Sequence, residues 1–533
     1  MIRINEVKLP LDYDDSTLAA LAAKALKTDV SKIASAELFR RSVDARRRDS
    51  VVFSASLDVC LKVNEDSVLR RCKPNKAAKV TPYTYELPES KILPLRPVVV
   101  GAGPAGLFAA LILARAGQRP IVIERGKSVD ERTRDVRLFW SGGALDEQSN
   151  VQFGEGGAGA FSDGKLNTGT KDPRARFILE EFVAHGAPRE ILYNAKPHIG
   201  TDRLKPTVRA IREEIVSLSG EVRFSSRLCG ADISGGCVTS VEVEHGGKRS
   251  TIETRHVILA LGHSARDTFA MLCEKGFAME AKPFSVGVRI EQLQEEINRA
   301  QYGGFYRDEH LGAADYKLNV HLGSGRGVYT FCMCPGGYVV AAASESGTVV
   351  TNGMSEFARD GANANSALLV GVSPEDFGSG SPLAGVELQR RIEKAAFIAG
   401  GGDYRAPAQR VGDFLAGRPT VSFGSVVPTY RPGVTFAKAE EYLPGFVTES
   451  LRGALPLLGR KLRGFDAPDA VITGAETRSS SPVRILRGET LESLTAKGVY
   501  PCGEGAGYAG GIMSAAADGI RCAEAVLRSS AGS

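Results

Sequence analysis

The stretch that decides the fold runs from residue 97 to residue 126 and reads PVVVGAGPAGLFAALILARAGQRPIVIERG. The run of valines predicts a buried strand, residues 107–117 predict a helix, and residues 120–123 predict a second strand. Between the first strand and the helix lies the pattern GxGxxG. A strand, tight turn, helix and strand within about 30 residues form the basic unit of a Rossmann-like dinucleotide-binding domain.

Each glycine of this turn has a separate physical task. The first allows a tight turn, the second leaves room for a pyrophosphate, and the third lets helix and strand pack closely. The phosphates then lie at a helix N-terminus, where free N–H groups and the helix dipole favour negative charge. The predicted cofactor contacts at this turn are Gly101, Gly103, Pro104, Ala105 and Gly106.

An acidic residue follows at the distance that the motif requires. Glu124 ends the second strand, 18 residues after Gly106. A carboxylate there can accept hydrogen bonds from both ribose hydroxyls of an adenosine. We therefore predict that Glu124, with Arg125 beside it, contacts the cofactor.

The C-terminus indicates which dinucleotide is bound. Residues 499–511 read VYPCGEGAGYAGG and lead into an alanine-rich helix over 512–527, so a second strand, glycine turn and helix N-terminus return to the domain. FAD needs such a return because its ribityl chain and flavin ring require their own hydrogen-bond donors. We expect Glu504 to bond a ribityl hydroxyl and the N–H groups of Gly511, Ile512 and Met513 to face the flavin pyrimidine edge. Gly503 opens this turn.

A third segment, HVILALG at residues 256–262, predicts another strand that ends in a small-residue turn. There the chain re-enters the dinucleotide-binding domain, which places Ala260 and Gly262 beside the cofactor. The three segments together predict FAD as the cofactor.

These signals predict an α/β protein with a discontinuous Rossmann-like FAD-binding domain, an inserted α+β substrate or capping domain, and a small N-terminal ferredoxin-like α+β domain. In the middle of the chain, VYTFCMCPGGYVVAAASE reads as a hairpin that turns at residues 335–337. The predicted boundaries are 1–90 for the N-terminal domain, 91–285 and 481–533 for the two parts of the FAD-binding domain, and 286–480 for the inserted domain.

Composition narrows the class of protein. The chain has 533 residues, of which 43% are hydrophobic and 24% charged, with 67 basic and 62 acidic residues. This near balance gives no electrostatic reason to expect nucleic acid as the main partner. Nine cysteines in no regular framework indicate reduced thiols. We find no signal peptide and no apolar run long enough to span a membrane, so we expect a cytoplasmic protein.

The chain resembles the bacterial FAD-dependent dehydrogenase-like proteins of the glutathione-reductase superfamily, and within them a family with a small N-terminal domain. The resemblance covers most of the chain from residue 96 and includes VVVGAGPAGLFAALILARAG, SNVQFGEGGAGAFSDGKLNTGTKDPR, PFSVGVRIE and YPCGEGAGYAGGIMSAAADGI. It implies that residues 154–165 also line the cofactor, among them Gly156, Gly157, Ala158 and Lys165. Related proteins often have His-Pro where this chain has Gln292 and Leu293, so no role of that histidine carries over.

Candidates for the chemistry follow from proximity to the predicted flavin. His263 and Arg266 come directly after the Gly262 turn. They are either substrate contacts or part of an ordinary helix start. Arg289 can hold a substrate carboxylate or belong to a structural ion pair. Cys332 and Cys334 are either a thiol pair over the flavin or small core residues. A C-x-C pair lacks the further ligands of a zinc site, so we predict no metal.

We find no second strand–GxGxxG–helix unit with a ribose acid, and therefore no separate nicotinamide-binding domain, and no CxxC after the first motif. The sequence therefore predicts an oxidoreductase that transfers a hydride between flavin N5 and a small organic substrate. The electron donor and acceptor and the oligomeric state stay open. The alternative is a flavin-binding regulatory protein whose N-terminal domain, with its arginines at 46–48, binds RNA or a protein.

Overall fold

The computed structural model describes residues 1–167, 169 and 171–531. Its first layer is a four-stranded antiparallel sheet in the order β2-β3-β1-β4, with helices between the strands. This is the ferredoxin-like arrangement predicted from the sequence, with one more strand at its end. The elements are β1 (Ile2–Leu9), α1 (Asp15–Leu26), β2 (Ile33–Asp44), β3 (Val52–Leu61), α2 (Glu65–Leu69) and β4 (Ala77–Lys79).

Edge strand β2 attaches this layer to the rest of the protein. The backbone N–H of Arg41 donates to Tyr193 O at 2.6 Å, and its carbonyl accepts from Ala195 N at 2.8 Å. The Arg41 guanidinium also donates to Asn194 Oδ1 at 2.8 Å and to Tyr13 Oη at 2.8 Å. Pairing at the edge satisfies backbone groups that would otherwise be open to another chain.

The next part of the chain supplies most of the dinucleotide-binding layer. Its elements are β5 (Val98–Val100), α3 (Pro104–Arg115), β6 (Ile121–Ile123), α4 (Val129–Trp140), α5 (Arg174–Ala184), α6 (Thr201–Ser217), β7 (Glu221–Arg223), β8 (Ser226–Ser234), β9 (Cys237–His245), β10 (Lys248–Glu253), β11 (Val257–Leu259), α7 (Arg266–Glu274) and β12 (Met279–Ala281). Strands β8, β9 and β10 form a separate antiparallel sheet.

The middle of the chain forms a large sheet with helices packed on it. Its elements are β13 (Phe284–Leu293), α8 (Gln294–Tyr302), β14 (Asn319–His321), β15 (Gly327–Cys334), β16 (Tyr338–Ala341), β17 (Thr351–Met354), β18 (Asn363–Val372), α9 (Ala384–Ala399), β19 (Ala406–Arg410), α10 (Val411–Leu415), β20 (Val434–Phe436), α11 (Gly445–Lys461) and β21 (Val471–Glu476). The sheet order is β14-β15-β18-β13-β21-β19-β20, and we call this layer the cap.

The chain then returns through β22 (Val483–Ile485), β23 (Val499–Pro501) and α12 (Ile512–Ala531). Strand β23 completes a five-stranded parallel sheet in the order β23-β11-β5-β6-β7, so strands far apart in sequence lie side by side. This is the discontinuous Rossmann-like domain that the three glycine segments predict. Among the described helices, none has the length and apolarity that a membrane crossing requires.

The predicted hairpin around residues 335–337 is wrong. Strand β15 pairs with β18, whereas β16 pairs with β17 in a separate two-stranded ribbon. The turn therefore moves the chain from one sheet to another. Gly336 has a positive φ of 49°, and a Cβ there would lie 1.9 Å from the carbonyl oxygen of Arg359, so the turn is fixed by a close approach of remote backbone.

The contact between α3 and α12 generates a first prediction. A Cβ at Gly519 would lie 2.1 Å from the backbone oxygen of Ala105, which no side-chain rotation can relieve. Gly519→Ala should destabilise the protein by about 1–3 kcal/mol, more than the gain of about 1 kcal/mol in helix propensity. Thermal unfolding measures this as a lower midpoint. Gly380→Ala, in open space on an exposed loop, is the matched control, and equal midpoints for both variants would contradict the packing argument.

Candidate functional site

The first glycine turn has the geometry of a phosphate cradle. Gly101 has φ 105°, and a Cβ there would lie 2.3 Å from Ala260 O, so two strand ends meet at this point. A Cβ at Gly106 would lie 1.8 Å from Gly101 O. Gly103 differs, because its nearest contact would be Gly157 Cα at 3.7 Å, an ordinary distance. Space is therefore left open at the start of α3, as anion binding at a helix N-terminus requires.

Glu124 connects three loops beneath this cradle. Its buried carboxylate accepts hydrogen bonds from Ala102 N at 2.7 Å, Gly126 N at 2.9 Å and Gly154 N at 2.9 Å. A carboxylate has about four lone-pair sites, so one remains for a ligand hydroxyl. The Arg125 guanidinium lies 4.3 Å from the centre of the Phe153 ring.

Arg132, which no sequence motif singles out, shapes the second glycine loop. Its side chain is fully buried, and it donates to the carbonyls of Asn150 at 2.7 Å, Val151 at 2.9 Å and Glu155 at 2.7 Å. Burial lowers its pKa to about 10. Glu155, also fully buried, accepts from Arg212 Nε at 2.7 Å, so this loop is held by buried charges.

The C-terminal return closes the cradle from the other side. A Cβ at Gly505 would lie 2.4 Å from Gly262 O, and a Cβ at Gly503 would lie 2.9 Å from Ala105 Cβ. Gly503 N also donates to Asp518 Oδ2 at 2.8 Å. Helix α12 therefore starts beside the start of α3, and the two helix N-termini open into the same space.

That space is a cavity of about 620 Å³, within the range of ligand sites. Most of the predicted cofactor residues line it: Gly101, Gly103, Pro104, Ala105, Glu124, Arg125, Gly157, Ala158, Lys165, Ala260, Gly262, Glu504, Gly511 and Ile512. The others lie behind this wall and support it: Gly106, Gly156, Gly503 and Met513.

The cap supplies the opposite wall. Strand β15 contributes residues 330–333, and Asn352, Arg478 and Ser479 lie nearby on the same side. His263 also lines the cavity, and burial together with the cations of Arg478 and Arg266 lowers its pKa to about 3. This histidine is therefore neutral at physiological pH.

Two of the predicted substrate contacts do not line the cavity. Arg266 is buried, and its guanidinium donates to Glu393 at 2.7 Å and to Glu345 at 2.8 Å. Arg289 is fully buried and donates to Glu476 at 2.6 Å. The carboxylate partners take up the guanidinium hydrogens, so both arginines occupy structural ion pairs rather than positions open to a substrate.

Cys332 and Cys334, the remaining candidates, occupy different positions. Cys332 lines the cavity, whereas Cys334 is fully buried behind it. Lys165 lines the cavity beside them and pairs with Asp163 at 3.0 Å, while its Nζ also donates to Met333 O.

Comparisons with known proteins agree with this site. Residues 96–160 match the FAD binding domain, residues 283–479 match the FAD-dependent protein, C-terminal domain-like family, and residues 1–60 match a domain of unknown function. The first match contains the Gly101–Gly106 turn, Glu124 and the loop at 154–160. The protein is thus an FAD-binding flavoprotein.

The family is shown by a full-length relative. An uncharacterised protein of Clostridium beijerinckii is 49% identical over 529 residues, which cover 99% of this chain and 98% of that protein. The chain belongs to the same family as this protein, and in this chain the FAD binding domain match is followed by the FAD-dependent C-terminal domain match.

More distant relatives match only in part. Protein FixC of Escherichia coli strain K12 is 28% identical over 225 residues, which cover 41% of this chain and 47% of FixC. Aklavinone 12-hydroxylase DnrF of Streptomyces peucetius subsp. caesius is 29% identical over 175 residues, 31% of this chain and 35% of that protein. Among solved structures, the flavin-dependent brominase Bmp2 has a TM-score of 0.37 and 13% identity, covering 82% of this chain and 80% of Bmp2.

The open space at Gly103 generates the second prediction. Gly103→Leu should leave the apoprotein folded, because a Cβ there meets no closer contact than 3.7 Å, but its side chain would fill the phosphate position. We expect FAD affinity to fall about 100-fold or more, roughly 2.8 kcal/mol. The FAD affinity is measured by titrating the apoprotein with FAD and following the flavin fluorescence. Gly445→Leu, in open space at the start of α11, is the control; undiminished affinity in Gly103→Leu would contradict the cradle.

Proposed function

We propose that this protein is an FAD-dependent oxidoreductase of the glutathione-reductase superfamily. In this proposal a hydride moves between flavin N5 and a small organic substrate held between the flavin and the cap. One observation carries it: a single cavity has two helix N-termini and three glycine turns on one side, and cap strand β15 on the other.

The chain's own groups support a position for each part of FAD. The start of α3, at Ala105, would hold the pyrophosphate, since it lines the cavity and the first N–H groups of a helix have no partner within the helix. Glu124 would accept a ribose hydroxyl with the lone pair that its three N–H donors leave free. The start of α12, at Gly511 and Ile512, would stabilise negative charge on a reduced flavin through its dipole.

The substrate would lie against the cap wall. Asn352 offers a neutral hydrogen-bonding group there, the Ser479 hydroxyl, which donates to Ser285 O at 2.7 Å, can still accept, and Phe331 offers an apolar face. Behind them the buried pair Arg478–Glu393, at 3.0 Å, holds the loop that carries Ser479. A neutral His263, on the loop after β11 of the dinucleotide-binding layer, can accept or donate a hydrogen bond without adding charge.

A third prediction separates a dehydrogenase from a monooxygenase. Under anaerobic conditions, a dehydrogenase substrate alone should bleach the oxidised flavin absorption, because the hydride comes from the substrate. A monooxygenase would instead be bleached by NADH or NADPH and would form product only after oxygen is admitted. A metabolite screen followed by absorption at the flavin band makes the measurement. Bleaching by a nicotinamide, with no organic substrate that bleaches, would contradict the dehydrogenase proposal.

A fourth prediction concerns Glu504. Burial raises the pKa of Glu504 to about 7, so it is neutral below that pH and ionises as the pH rises through it. A carboxylate beside the flavin disfavours an anionic reduced flavin, so reduction should draw a proton onto Glu504. We therefore expect the flavin reduction potential, measured as a function of pH, to fall more steeply with rising pH just above pH 7 in the wild type than in Glu504→Gln. Parallel slopes in both proteins would contradict this role.

The regulatory alternative has less support in the contacts. Arg41 joins β2 to residues 193–195, and Arg46 pairs with Asp44 at 2.8 Å, whereas Arg47 and Arg48 are exposed. We therefore favour the FAD-dependent enzyme, which is supported by the cavity, over the flavin-binding regulatory protein.

A further inference from the structure

The end of cap strand β15 departs from regular strand geometry beside the flavin cavity. Its pairing with β18 shifts between Phe331 and Cys334, so three steps along β15 oppose two along its partner. Cys332 lies in this bulge with φ 42°, in the left-handed region that a non-glycine residue rarely adopts. Such backbone persists only where its surroundings impose it, and it concentrates at functional sites.

The two cysteines of the bulge are close to each other but not equivalent. Cys332 lines the cavity and is partly exposed, whereas Cys334 is fully buried, with its Sγ 3.3 Å from Cys332 O. In a regular strand, residues i and i+2 stand apart on one face. A bulge bends the strand, so the two thiols come within reach of each other.

Cationic groups surround this pair. Arg289 donates to Cys332 O at 3.0 Å, and Lys165 donates to the carbonyl of Met333, between the two cysteines. A hydrogen bond from Cys334 and the charges of Lys165 and Arg289 lower the pKa of Cys332 to about 6, while the hydrogen bond and burial raise the pKa of Cys334. One accessible thiolate beside one protonated thiol is the arrangement of an attacking and a resolving cysteine.

The pair also faces the cofactor side. Glu504, from the C-terminal return, lines the same cavity, and the charge of Cys332 contributes to raising its pKa. If the two cysteines only filled space in the core, the left-handed backbone, the position at the cavity and the flanking cations would all be unnecessary. Cys502 also lines the cavity and lies beside Cys522, but both of these thiols are fully buried, and among the described cysteines the left-handed backbone occurs at Cys332 alone.

We propose that Cys332 and Cys334 form a redox-active dithiol that exchanges two electrons with the flavin. In the oxidising direction, the S–H bond of Cys334 breaks and an S–S bond forms between its Sγ and the thiolate Sγ of Cys332. The two electrons and the one proton that this releases would be taken up by bound oxidised flavin. The reverse step reduces the disulfide. This rests on the proposed function, because it uses flavin bound in this cavity.

The test counts electrons in the FAD-bound full-length protein. After treatment with diamide, which oxidises thiols, and its removal, anaerobic dithionite titration should consume about four electrons per flavin in the wild type but about two in Cys332→Ser and Cys334→Ser. Cys60→Ser, an exposed thiol in the N-terminal layer, should behave as wild type. Mass spectrometry should find the peptide with residues 332–334 about 2 Da lighter after oxidation.

A second readout follows the transfer itself. With a sub-stoichiometric portion of dithionite, flavin colour lost at first should partly return as electrons reach the disulfide, while two new thiols become alkylated. In Cys334→Ser the colour should stay lost. Two electrons per flavin in the wild type, with both thiols still alkylated after diamide, would overturn the proposal. If FAD binds in every variant in that case, the flavoprotein assignment stands and only the dithiol fails.

Discussion

The structure depends on close backbone contact between glycine turns that are far apart in sequence. The Gly101 turn touches the end of β11, the Gly503 turn touches α3, and Gly519 lets α12 lie against Ala105. At each point an added Cβ would collide with a neighbouring residue. These contacts bring two helix N-termini into one cavity, and the positive ends of both helix dipoles would favour the two negative charges of the proposed dinucleotide there.

A second constraint comes from charges buried between the layers. Arg266 and Arg478 share Glu393 between the cap and the dinucleotide-binding layer, and Arg289 pairs with Glu476 within the cap. Buried ion pairs add little net stability, but removing one partner is costly because it leaves an unpaired charge. The buried ion pairs therefore act mainly by positioning. They hold the cap loop that carries Ser479 and the strand that carries Cys332 over the cavity.

Local patterns predicted the features that depend on local chemistry. The GxGxxG turn, the strands around it, the C-terminal return and the ferredoxin-like layer follow from periodicity and turn residues, and FAD follows from their order. Features set by long-range contacts were missed. The residues around Gly336 predict a hairpin because the pairing partner of β15 is remote. For Arg266 and Arg289 the sequence leaves a substrate contact and a structural role open, because their carboxylate partners lie far along the chain. Arg132 gave no local signal. The domain boundaries remain a prediction.

The most direct test of the account is a crystal structure of the protein with FAD. We predict the pyrophosphate within hydrogen-bonding distance of the backbone at Ala105, the adenosine ribose at Glu124, and the flavin ring between the start of α12 and Cys332 on β15. Electron density for FAD bound outside this cavity, or with its flavin ring turned away from the cap, would contradict the central claim.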